Sequence, residues 1–140
     1  ISVPTVLFTG VADPVTVAGN TQWIADKYAA QWAAQWEANK AARNPKRPTN
    51  LLLTIWNFTP AKYTVYTAAG APDTTVPAAT GTNHCNFTFS QTMAVADLLA
   101  YASENGYHLA GGALNTKLRK AGNMTIDKGF HAPLLKTATN

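Results

Sequence analysis

Charge is what this 140-residue chain has least of: 13% of its residues are Asp, Glu, Lys or Arg, where about 25% is usual for a globular domain. A surface this poor in charge loses little hydration when pressed against another copy of itself, so the composition favours packing and assembly over a dispersed, self-repelling exterior. Cysteine is nearly absent as well. The single Cys85 excludes an intramolecular disulfide, so the fold rests on core packing and hydrogen bonds. No apolar run approaches the roughly 18–20 residues needed to span a bilayer, the longest being Val3 to Phe8 and Leu51 to Phe58. A soluble or peripheral protein without a transmembrane segment is therefore expected.

Acid–base residues are equally scarce. Seven carboxylates are scattered singly, and Asp97 and Glu104 share one helical stretch at a spacing of seven. That spacing suits a solvated face better than paired catalysis. His84 and Cys85 are adjacent, and neighbouring strand residues point to opposite faces, so they are poorly placed to share one metal ion. His108 and His131 lie far off in sequence. Cys85 sits in an apolar run rather than beside a helix start or a base that would activate a thiol. GxSxG, GxGxxG and P-loop patterns are missing. The chain accordingly reads as non-enzymatic, with no catalytic residue, metal or cofactor assigned.

What the chain has in abundance is small side chains, 25 Ala and 19 Thr, together with four Trp. Hydrophobic residues make up 46%, and this length buries roughly two-thirds of the unfolded surface, enough for one core. A single domain over 1–140 is expected, with 105–140 a candidate basic arm or assembly segment. An Ile at position 1 suggests a cleaved leader or simply a chosen boundary.

Val3 to Thr9 reads as a buried strand closed by Gly10. Asn20 or Thr21 can cap a helix running to about Arg43, which Asn44-Pro45 must stop. Its Ile24, Tyr28, Trp32 and Trp36 recur every four residues, with Trp23 beside them and Ala filling much of the rest. This stripe predicts a helix lying on a sheet; the alternative reading of the helix is a subunit contact made through Trp23, Trp32 and Trp36. Residues 44–49 form a rigid basic loop. Leu51 to Phe58 and Lys62 to Thr67 read as neighbouring strands, plausibly a hairpin, and 68–83 as a long Gly/Pro/Thr loop. Cys85 to Phe89 reads as a short strand. Ser90 or Thr92 can cap a second helix carrying Val95, Leu98, Leu99 and Ala102, with Asn105-Gly106 ending it. Beyond that, the pattern assigns nothing firm. The fold class expected is α+β: a mainly antiparallel sheet, one long Trp/Ala-rich helix, a second shorter helix and an irregular basic C-terminal segment.

The net charge of +4 is concentrated. Residues 1–104 balance, whereas 105–140 hold five bases against Asp127. Lys40, Arg43, Lys46 and Arg47 form one basic group, and Lys117, Arg119 and Lys120 a second. Both are candidate contacts for a nucleic acid, sequence-tolerant because no base-reading motif accompanies them. A solvated basic surface accounts for the same residues. Asn57, Asn86 and Asn123 each begin an Asn-x-Thr pattern, but a chain this rich in Asn and Thr yields about two such matches by chance.

The expectation that follows is a self-assembling structural subunit, a homo-oligomer such as a virion coat or extracellular filament protein. The alternative is a secreted binding module or small toxin, using the 68–83 loop and exposed aromatics to hold a sugar or a membrane surface.

Overall fold

In the computed structural model the residues described are 1–11, 13, 18–43, 46–58, 67–75, 87–126 and 129–132. Among the described residues, three strands and three helices form an α+β arrangement. Strand β1 (Thr5–Gly10) leads to helix α1 (Ala18–Ala41), which crosses to β2 (Leu52–Asn57). Helices α2 (Phe89–Asn105) and α3 (Gly111–Ala121) follow, and β3 (Met124–Thr125) completes a sheet of order β1-β2-β3.

The sheet is mixed. β1 and β2 are parallel in register from Thr5 with Leu52 to Gly10 with Asn57. Only the two pairs Trp56 with Thr125 and Asn57 with Met124 are antiparallel. The expected mainly antiparallel sheet is thus corrected. A parallel pair needs a long crossover, and the crossover here is the helix that the stripe of large residues predicts. The expected hairpin partner at 62–67 falls outside the described residues except for Thr67, which lies in a turn and donates its N–H to Ala71 O at 2.8 Å.

One face of the sheet carries the core. Leu53 and Ile55 of β2 meet Leu98 of α2, Leu114 and Leu118 of α3 and Met124 of β3, with Val6, Phe8 and Val95 packed around them. Leu114, Leu118 and Ala121 recur at helical spacing, so α3 and β3 occupy 111–125, where an irregular segment was expected. The Gly111-Gly112 pair opens α3, and Gly111 adopts φ +62°, a conformation natural to glycine.

α2 begins earlier than the sequence suggests, its cap lying two residues before Ser90 and four before Thr92. Thr88 is its N-cap, the Gln91 N–H donating to the Thr88 hydroxyl and the Gln91 side chain accepting from the Thr88 N–H. This reciprocal box replaces the expected Ser90 or Thr92 cap, and Phe87 and Thr88 are not in a strand. Gly106 ends the helix in the left-handed conformation, as Asn105-Gly106 foretells.

Candidate functional site

α1 covers the other face of the sheet in a different manner. Its buried residues are Ala18, Gly19, Thr21 and Gln22, all in the first turns. The Thr21 and Thr9 hydroxyls share a 2.6 Å hydrogen bond. The Gln22 carbonyl oxygen accepts from the Ala132 N–H at 3.0 Å, while its amide donates to Asp26 at 2.8 Å. Ala18 joins a small cluster with Trp56 and Ala132.

A helix of 24 residues is about 36 Å long, whereas a six-residue strand spans about 20 Å. α1 therefore outruns the sheet, and residues 46–51 return along its overhanging part. Three side chains tie the two together in antiparallel order. Asn39 donates to Lys46 O at 2.7 Å, the Trp32 indole N–H donates to Pro48 O at 2.9 Å, and the Leu51 N–H donates to the Tyr28 hydroxyl at 2.8 Å. The stripe of Tyr28 and Trp32 thus binds the returning connector beyond the end of the sheet. That corrects the expectation that it lies on the sheet itself.

Between α1 and this strap runs a groove of about 320 Å³ lined by Tyr28, Gln31, Trp32, Gln35, Pro48 and Thr49, with Ile1 and Leu51 at one end. Of the cations predicted at 40–47, Arg47 is the one placed against a residue of its lining. The Arg47 guanidinium lies 4.6 Å from the centre of the Trp32 ring, and Lys40 lies 5.5 Å from that of Trp36 while also pairing with Glu37 at 2.6 Å. Arg43, exposed, turns the chain out of the helix with φ +53°. Trp32 and Trp36 are half-buried. Trp23 is 55% exposed and has Lys27 5.7 Å from its ring centre, so the three Trp do not share one face.

The second basic group lies on α3 and is not uniform. Lys117 pairs with Asp97 of α2 at 2.7 Å, Arg119 reaches the Thr116 hydroxyl at 3.4 Å, and Lys120 is exposed. Lys117 is thereby engaged in holding α2 to α3.

A second groove, of about 400 Å³, runs under α1, with Leu52, Trp56, Ile126 and Phe130 below and Asp26, Asn50, Thr54 and His131 along its walls. His131 Nε2 lies 3.1 Å from the Asp26 carboxylate that Gln22 also holds. Position in sequence gave no hint of this pair, because its members are 105 residues apart. His108 bonds Leu51 O at 2.9 Å through Nε2, and its buried Nδ1 has no partner. His84 and Cys85 lie outside the described residues. Among the described residues no group of three or more His, Cys, Asp or Glu is placed to hold a metal, and no helix is long and apolar enough to cross a membrane.

Two titratable groups, the Asp73 carboxyl and the Tyr101 phenol, have shifted ionisation. The Thr75 hydroxyl and N–H, both donating to Asp73 at 2.6 and 2.9 Å, hold its carboxyl below the ordinary aspartate range. The Tyr107 hydroxyl, 3.5 Å from that of Tyr101, raises the latter. No protein-family model, curated protein or solved structure matches this chain.

Proposed function

We propose that this protein is a non-enzymatic, self-assembling structural subunit of the coat or filament type, with α1 as its principal contact. The observation that carries this reading is the state of α1 after its first turns. From Trp23 to Ala41 it buries no residue completely, and it presents Ala29, Ala30, Ala33, Ala34, Ala38 and Ala41 exposed together with Trp23 and Ile24. Alanine lets a second helix approach to about 8 Å, and an exposed indole supplies a large apolar contact area with a free edge for hydrogen bonding. The low overall charge keeps such a contact from being opposed by repulsion. The exposed Arg43 and Arg47, close in sequence to this face, would then serve a nucleic acid enclosed by the assembly.

Sedimentation velocity and electron microscopy test the proposal. Wild-type protein is expected to form large species or particles, and Ala34→Glu is expected to dissociate them with an unchanged melting temperature, since Ala34 is exposed. A clean monomer at high micromolar concentration overturns it.

The groove under α1 favours a second reading, a binding module for a neutral sugar. Its apolar floor and mixed donors and acceptors at Asp26, Asn50, Thr54 and His131 suit a hydroxylated ring. Binding on a glycan array, lost in Asp26→Ala, would support it. A blank array with folded protein removes it.

A further inference from the structure

The groove between α1 and its strap combines three features that occur together nowhere else among the described residues. Its wall is aromatic, from Tyr28 and Trp32, with the flat pyrrolidine of Pro48 lining it as well. Gln31 and Gln35 line it too. Cations stand close by in sequence: Arg43 and Arg47 are exposed, while Lys40 pairs with Glu37. Arg47, 4.6 Å from the Trp32 ring, brings a guanidinium directly beside the aromatic wall.

We propose that this groove holds an unpaired base of a single-stranded nucleic acid, with the following phosphates passing over Arg47 and Arg43. The inference rests on the reading that these cations face a nucleic acid, and it specifies the form. Aromatic faces stack any unpaired base and tolerate sequence, whereas a base inside a duplex is not available to them. Carboxamides bond base edges but not phosphates in preference to cations. The volume of about 320 Å³ lies at the low end of ligand sites and suits one or two bases rather than a duplex. Charge complementarity selects this occupant over a neutral proline-rich peptide, which the aromatic wall alone would also accept.

The strap has a further consequence for this site. Because Trp32 and Tyr28 are each fixed by a hydrogen bond to residues 48 and 51, the aromatic wall is in place before a ligand arrives. Less ordering free energy is lost on binding than for free side chains.

Fluorescence anisotropy of labelled dT12 and of a 12-base-pair duplex, measured between 50 and 200 mM salt, tests the proposal. The dissociation constant for the single strand is expected to be roughly tenfold lower than for the duplex, with quenching of tryptophan emission. Replacing Arg43 and Arg47 together by Gln is expected to lower the slope of log affinity against log salt by about 1.4, at about 0.7 per lost cation on a single strand. Trp32→Ala is expected to weaken binding roughly tenfold or more. Since that change also removes a strap bond, Thr49→Trp provides a second test: Thr49 makes none of the strap hydrogen bonds, and an indole there fills the groove from its rim. The same loss is expected. Running each measurement also in the Ala34→Glu background separates base binding from assembly, so either can fail alone. Equal affinity for strand and duplex, undiminished binding by both Trp32→Ala and Thr49→Trp, retention of a proline-rich peptide in place of dT12, or no binding at 50 mM salt overturns the proposal.

Discussion

The two faces of the small sheet are covered by opposite means. On the α2/α3 face, Ile55, Leu98, Leu114 and Leu118 are each at most 2% exposed and interlock as an apolar core. On the α1 face, the apolar cluster is small, Ala18, Trp56 and Ala132, and is joined by a few directed contacts: the Thr9 to Thr21 hydroxyl bond, the Gln22 side chain and the strap. The first face consumes its apolar surface internally. The second leaves most of a long helix without a buried residue, so burial is concentrated on one side of the sheet.

That division is broken most sharply by truncating the core. Leu98→Ala is expected to destabilise the protein by about 2–5 kcal/mol through lost burial and the cavity left behind, read from urea denaturation. Ala34→Glu on the other face should leave the unfolding midpoint in place. A comparable fall for both would mean that α1 is as deeply integrated as α2.

A polar link between sheet and helices gives the next largest effect. Gln91 is buried and donates to Asn57 Oδ1 at 2.9 Å and to Gly122 O at 2.8 Å while also closing the α2 cap. Gln91→Ala strands buried acceptors on β2 and at the end of α3, at about 1–3 kcal/mol. Asn57→Ala made alone and combined with it in a double-mutant cycle should show a coupling above 0.5 kcal/mol, the lower bound usual for contacting residues.

The smallest effect sharpens the contrast on the α1 side. Thr9→Val removes the 2.6 Å hydroxyl pair with Thr21 and is expected to cost about 1 kcal/mol, with faster amide exchange confined to the first turns of α1. Exchange rising along the whole helix would instead show that this bond anchors its full length.

Local chemistry made several elements legible in the sequence. β1 and β2 declared themselves as compact apolar runs, α1 by its stripe and proline stop, and the end of α2 by Asn105-Gly106. The direction of strand pairing was not legible, because a buried parallel strand and a buried hairpin strand have the same composition. α3 was hidden by its Gly-Gly start, although Leu114 and Leu118 carried the helical spacing. For the site, charge placed Lys40, Arg43, Lys46 and Arg47 in one group from sequence alone. The groove beside them arises from the strap folding back on Tyr28 and Trp32, a tertiary event with no local signature. The Asp26–His131 pair is non-local for the same reason.

The crossover geometry also bears on how the molecule reaches this state. Every β1 residue pairs with a partner 47 positions later, as Thr5 does with Leu52, and closing so long a segment as free chain carries a large loop entropy. An alanine-rich stretch of 24 residues exceeds the roughly 12–15 at which isolated helices become marginal, so α1 can form early on local propensity alone. Once rigid, it acts as a strut whose strap delivers Leu51 and Leu52 back toward β1, turning a distant encounter into a guided one. The same overhang that leaves α1 exposed therefore also holds the two strands of the parallel pair within reach of each other.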